Sequence, residues 1–122
     1  MRTIDVKEVT AAVSKLSKDA CYYLPDEMMA ALEASLTSEE SPLGREILET
    51  IIENAKLAKT TDCPICQDTG LAVVFAEIGQ DVHFEGGENN EANHAGIADG
   101  YINGYLRKSS VLVPKKKKKN TQ

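Results

Sequence analysis

Apolar residues recur at Val6, Val9, Val13, Leu16 and Ala20, the three-and-four spacing of a single helix face, before a break near Tyr22. Asp5-Val6-Lys7-Glu8 opens this helix as a capping box, with the Asp5 side chain accepting from the backbone near Glu8. Pro25, in the first turn, starts a second helix. Asp26 and Glu27 suit the positive end of its dipole, and Met28, Met29, Leu32 and Leu36 give it an apolar face. After the polar break Thr37-Ser38-Glu39-Glu40, Ser41-Pro42 opens a third helix whose stripe of Ile47, Leu48, Ile51, Ile52 and Ala55 runs on to about Lys59.

The period then changes. Leu71 to Ile78 is a mostly apolar run, which predicts a strand covered on both faces. Gly79-Gln80 reads as a turn, Asp81 to Glu85 alternates like an edge or half-exposed strand, and Gly86-Gly87 ends it. A fourth, long helix is predicted from about Glu91 to Lys108, carrying Ala95, Ala98, Tyr101, Ile102, Tyr105 and Leu106. Gly96, Gly100 and Gly104 recur every four residues in it. A glycine costs roughly 1 kcal/mol against alanine inside a helix, so three on one face predict a second backbone packed closely against it. The expected fold is α+β or α/β: an amino-terminal helical bundle packed on a small sheet, followed by a long helix. Residues 1–113 read as one module and 114–122 as a solvated, disordered basic tail.

The charge distribution sharpens this picture. Lys115 to Lys119 supply five of the 14 basic residues, leaving nine against 19 acidic ones and a net of −10 for the body. A surface this acidic excludes nucleic acid as a partner, because phosphate contacts need a basic face. No stretch reaches the roughly 18–20 apolar residues of a membrane span, and the first residues lack a signal-peptide core, so a cytoplasmic location is expected. Three cysteines, an odd number, argue against a disulfide framework and turn attention to metal or redox chemistry.

Cys63-Pro64-Ile65-Cys66-Gln67-Asp68-Thr69-Gly70 concentrates two thiols, an amide, a carboxylate and a hydroxyl at the junction between the third helix and the apolar run. Three chemistries are open to such a pair of thiols. A thioredoxin-like couple needs the thiols at the start of a helix that follows a strand, and here that order is reversed. A structural zinc site needs four ligands, for which only Cys21, His83 and His94 remain. An iron–sulfur cluster held by three protein thiolates would leave one iron open as a Lewis acid.

The residues around Cys66 carry a resemblance. Pro64-Ile65-Cys66-Gln67-Asp68-Thr69-Gly70 closely resembles the PxCQDTG signature of class I fumarases and their tartrate dehydratase relatives. Val82-His83-Phe84, Gly86-Gly87 and the segment Gly100 to Ser109 extend the likeness to the start of the alpha subunit of two-subunit enzymes, over roughly residues 1–110. Beyond Ser110 it fades into the lysine run.

The resemblance implies a 4Fe–4S hydro-lyase that interconverts fumarate and malate or a related 2-hydroxy dicarboxylate. By the same likeness, Cys66 is one of three cluster ligands, and the other two lie far downstream. Gln67 and Asp68 are substrate-binding residues, with Asp68 catalytic by orienting a water or accepting a proton, and Arg107 clamps a substrate carboxylate. The implied partner is a beta subunit or carboxy-terminal domain of the same enzyme, and the chain alone is expected to be inactive. Cys63 and Cys21 match no family ligand and are expected to be buried or partly buried thiols. His83 and His94 match no catalytic position and are expected at the surface. A reading of another class is a non-catalytic metal-binding or subunit-assembly module built on the same CPIC loop.

Overall fold

A computed structural model describes residues 1–66, 68 and 70–106. Among them the order is β1 (Arg2–Asp5), α1 (Val6–Tyr22), α2 (Asp26–Ser38), α3 (Pro42–Thr61), β2 (Val82–Glu85) and α4 (Asn89–Asn103). This is the α+β content expected. The chain divides into two compact units, Met1–Lys18 with the residues after Cys66, and Asp19–Cys66. No helix among the described residues is long and apolar enough to cross a membrane. Gln67, Thr69, Arg107 and the lysine run lie outside the described residues.

In the first unit β1 and β2 pair in parallel, with Arg2 opposite Val82 and Ile4 opposite Phe84. The turn before β2 closes with the Val82 amide donating to the Gly79 carbonyl at 3.2 Å, as the Gly79-Gln80 pattern predicts. β1 has no counterpart in the hydrophobic pattern, because Arg2-Thr3-Ile4-Asp5 offers one apolar side chain and takes its form from β2. α1 spans the range its pattern predicts, although the Asp5 carboxylate accepts from the Lys7 amide at 2.9 Å rather than from Glu8.

The face of α1 that meets α4 keeps Val13 of the predicted stripe, and Val6 and Val13 are the stripe's buried members. Leu16, within that stripe, is 64 % exposed, and the contact runs through Thr10, Val13, Ser14 and Ser17. Opposite them stand Gly96 and Gly100. A Cβ at Gly96 would lie 2.7 Å from the Thr10 carbonyl oxygen, and one at Gly100 only 2.6 Å from that of Ser14. The close backbone approach inferred from the glycine spacing is therefore present, and small residues on both helices permit it. Polar contacts reinforce it: the Thr10 hydroxyl donates to the Ala92 carbonyl at 3.0 Å and the Ser14 hydroxyl to the Asp99 carboxylate at 2.6 Å.

Two predictions fail in this unit. α4 stops at Asn103 instead of Lys108, and Gly104 is its cap rather than an interior residue. Tyr105 turns left-handed at φ 56°, and the Leu106 amide donates back to the Tyr101 carbonyl at 3.0 Å. This termination buries Leu106 and Tyr101, the two positions that a helix cap of this kind brings together, and leaves Tyr105 outside. The second failure is the buried strand at Leu71–Ile78. These residues form no strand and all are exposed, Phe75 at 94 %. A strand needs a neighbour to complete its ladder, and among the described residues β1 and β2 pair only with each other.

In the second unit α2 packs along α3. Pro25 stands one position ahead of α2, at its N-cap, and its carbonyl accepts from the Met28 and Met29 amides. Ser41 caps α3 through its hydroxyl, which accepts from the Gly44 amide, and Pro42 fills the first turn as predicted. α3 buries Ile52, Ala55 and Ala58, whereas Ile47 and Ile51 of the predicted stripe remain exposed and α2 buries no residue fully. Tyr22, at 2 % exposure, is the most deeply buried large side chain of the unit.

The helix contact yields a quantitative expectation. Gly100→Ala should destabilise the protein by about 1–3 kcal/mol through overpacking, although on a free helix surface the same change would stabilise it. Denaturant melts of the variant and its parent measure the difference, and a more stable variant would contradict the contact.

Candidate functional site

The loop that carries Cys63 and Cys66 begins where α3 ends. Asp62 adopts the left-handed conformation at φ 54°, and both its own amide and that of Cys63 point back to the Ala58 carbonyl, the latter at 3.0 Å. Asp tolerates this conformation better than most residues, and here its side chain is also used. The Tyr23 hydroxyl donates to the Asp62 carboxylate at 3.0 Å, which holds the Tyr23 phenol above its ordinary range. Further along, the Ile65 amide donates to the Cys21 carbonyl at 2.9 Å, and the Asn54 side chain donates to the Ile65 carbonyl at 2.7 Å. Both peptide groups of Ile65 are thereby fixed, and with them the backbone that enters Cys66.

Cys66 is exposed at the end of this held loop. It also lines an open groove of about 510 Å³, together with Leu24, Met28 and Leu32 on one side and Ile51, Asn54 and Ala55 of α3 on the other. Cys63 is exposed as well, not buried or partly buried as expected. Its position just beyond the turn that ends α3 lifts it off the helix, and its thiol donates to the Thr61 carbonyl at 3.5 Å. The CxxC pair thus follows the C-terminal end of a helix, the opposite end from that used by thioredoxin-like couples. Cys21, in the last turn of α1, is half-buried as expected. Burial first, and the negative charge of ionised Cys66 second, push its thiol above the ordinary value of 9.0.

Asp68 belongs to the other unit and is exposed. Its carboxylate accepts from the Gly70 amide at 3.4 Å, and Gly70 takes the left-handed conformation at φ 61°. In this structure Asp68 shapes its own turn. His83 on β2 and His94 on α4 are exposed. No three His, Cys, Asp or Glu side chains among the described residues come together to hold a metal ion. Asn54 and Tyr23 escaped the reading of the sequence, because a single Asn or Tyr on a helix carries no spacing signal.

With this geometry in view, comparison with known proteins is informative. The profile of the fumarate hydratase (Fumerase) family matches residues 10–122. The chain belongs to this family. It is 38 % identical over 76 residues to a putative L(+)-tartrate dehydratase subunit alpha of Methanocaldococcus jannaschii, a match covering 62 % of this chain and 27 % of that protein. It is 28 % identical over 74 residues to the L(+)-tartrate dehydratase subunit alpha of Escherichia coli K12, covering 61 % of this chain and 24 % of the relative. The matched region thus spans about a quarter of the length of these curated relatives.

The held loop generates two expectations. Asn54→Ala removes one of its anchors and should cost about 0.5–1.5 kcal/mol, read in urea melts, with faster amide exchange at Ile65 and Cys66. In a Cys63→Ser background, Cys66→Ser should lower the pH at which Cys21 is alkylated by iodoacetamide, yet leave it above the ordinary thiol value because burial, the larger cause, persists. An unchanged alkylation profile would remove Cys66 as an electrostatic neighbour of Cys21.

Proposed function

We propose that this chain is the amino-terminal part of the alpha subunit of a 4Fe–4S hydro-lyase acting on fumarate and malate or a related 2-hydroxy dicarboxylate. The observation that carries the proposal is the family match across residues 10–122, which includes the Cys66-Gln67-Asp68-Thr69-Gly70 signature. The names of the relatives add support for an alpha subunit and make tartrate a candidate substrate. The partner is then a beta subunit or a carboxy-terminal domain, and residues 1–113 act as one module within the assembly.

Cys66 fits a cluster ligand: it is an exposed thiol on a loop whose backbone is fixed from both sides of Ile65. It supplies one thiolate, and by the family resemblance the remaining ligands lie further along the alpha subunit. The cluster, when bound, supplies a Lewis acid that weakens the bond to the departing hydroxyl. Gln67 can both donate to and accept from a substrate carboxylate or hydroxyl. Asp68 orients the water or takes up the proton removed with it; one of its oxygens accepts from the Gly70 amide, and the carboxylate keeps further lone pairs for this role. Arg107 binds a substrate carboxylate through its two-pronged guanidinium.

The exposed apolar run Leu71–Ile78 favours a second reading, in which the chain serves assembly rather than chemistry. One experiment separates the two. The chain is reconstituted anaerobically with iron and sulfide, alone and together with the remaining alpha-subunit portion and the beta subunit of the Methanocaldococcus jannaschii relative. Fumarate absorbance then follows turnover of malate, and a parallel assay follows tartrate. The chain alone should show no turnover above a Cys66→Ala control. The assembled form should turn over, lose activity completely with Cys66→Ala, and lose it on the order of 10²–10⁴-fold with Asp68→Asn. An assembled enzyme whose turnover is indifferent to Cys66 and Asp68 would leave the assembly reading in possession.

A further inference from the structure

The CPIC motif invites pairing of Cys63 with Cys66, but the structure favours a different couple. The Ile65 amide is bonded to the Cys21 carbonyl at 2.9 Å, so the loop lies directly against the last turn of α1, one residue before Cys66. The Asn54 amide holds the Ile65 carbonyl at 2.7 Å, and this carbonyl shares its peptide plane with the Cys66 nitrogen. The backbone of Cys66 is therefore fixed beside Cys21. Cys63 is instead drawn back toward the end of α3, with its thiol on the Thr61 carbonyl. All three cysteines lie within the Asp19–Cys66 unit, so their mutual arrangement depends on that unit alone.

We propose that Cys21 and Cys66 form a reversible disulfide under peroxide, a redox couple made across the fold rather than within the CxxC motif. The steps balance with hydrogen peroxide as the oxidant. The Cys66 thiolate, the exposed member, attacks one peroxide oxygen and breaks the O–O bond, leaving a sulfenic acid and releasing hydroxide, which takes up a proton to become water. The Cys21 sulfur then attacks the Cys66 sulfur, the S–S bond forms, and the sulfenic oxygen leaves as a second water. Two thiols lose two electrons, and one peroxide becomes two waters. A dithiol reductant reverses the product by exchange.

The half-buried position of Cys21 suits the resolving role, because it is reached by the neighbouring loop more readily than by solvent oxidant. The consequence for function rests on the reading of Cys66 as a cluster ligand: the disulfide would withhold that thiolate from iron and protect it from irreversible oxidation until it is reduced. The pairing itself does not depend on that reading, and its failure would leave the cluster assignment standing.

The test uses the purified chain treated with hydrogen peroxide, alkylated under non-reducing conditions, digested and mapped by mass spectrometry. The expected product is a peptide joining Cys21 to Cys66, abolished by dithiothreitol and still formed in Cys63→Ser. Cys21→Ser should eliminate it and shift Cys66 to sulfinic and sulfonic forms. Circular dichroism of each variant confirms that it remains folded. Dominant Cys63–Cys66 linkage in the folded parent would overturn the proposal. So would over-oxidation of Cys66 to the same extent with and without Cys21.

Discussion

The carbonyl oxygen of Ala58 receives the amides of both Asp62 and Cys63, and the course of the loop from Asp62 to Cys66 follows from that shared acceptor. A helix of 20 residues would otherwise leave its last carbonyls to water and its outgoing chain free to continue away from the body. The left-handed residue at Asp62 reverses the chain instead, and Tyr23 secures the reversal through the Asp62 carboxylate. The reversed chain then meets the end of α1 at the Cys21 carbonyl and the flank of α3 at Asn54. Each bond is modest, on the order of 1 kcal/mol in net terms, and several sit at the surface. Together they hold a five-residue loop that has little apolar content of its own to bury. This is how an exposed thiol comes to have a defined position without a core around it.

The helices were legible because their stripes, Pro residues and caps agree with one another. Ser41-Pro42 and Asp5 mark starts that the structure keeps within a residue or two. Buried faces were less legible. The contact of α1 with α4 sets Thr10, Ser14 and Ser17 beside Val13 against glycine, and a hydrophobicity pattern marks Val13 but scores the other three as surface. The glycine period did carry the information, because close backbone approach is a steric demand rather than a solvation one. The end of α4 was missed for a related reason: burying Leu106 through a left-handed Tyr105 is a tertiary choice that local helix preference does not reveal.

Of the candidate site, the sequence marks the motif and not the residues that hold it. Cys66 and Asp68 are named by a short signature, whereas Asn54, Tyr23 and the Cys21 carbonyl come from 12 to 45 residues away in sequence and act through single hydrogen bonds. No periodicity announces such partners. Cys63 shows the converse risk. Its spacing to Cys66 suggested a pair, yet the turn at Asp62 gives the two thiols different neighbours, and a backbone carbonyl engages Cys63.

The motif is also held unequally along its length. Up to Cys66 every residue belongs to a unit that fixes its backbone. After it, the Asp68 carboxylate accepts from the Gly70 amide, and the apolar residues from Leu71 to Ile78 are exposed, without a ladder among the described residues. Ligation of a metal tolerates little displacement, so it suits the fixed side. In the proposed role Asp68 accepts from the Gly70 amide through one oxygen and keeps its other lone pairs for a water or a proton. But an acid or base that contributes to a rate must also be held in reach of its proton. On this argument the backbone of Cys66 is set within the Asp19–Cys66 unit, whereas Asp68 belongs to the other unit and to a turn that leads into an exposed apolar run.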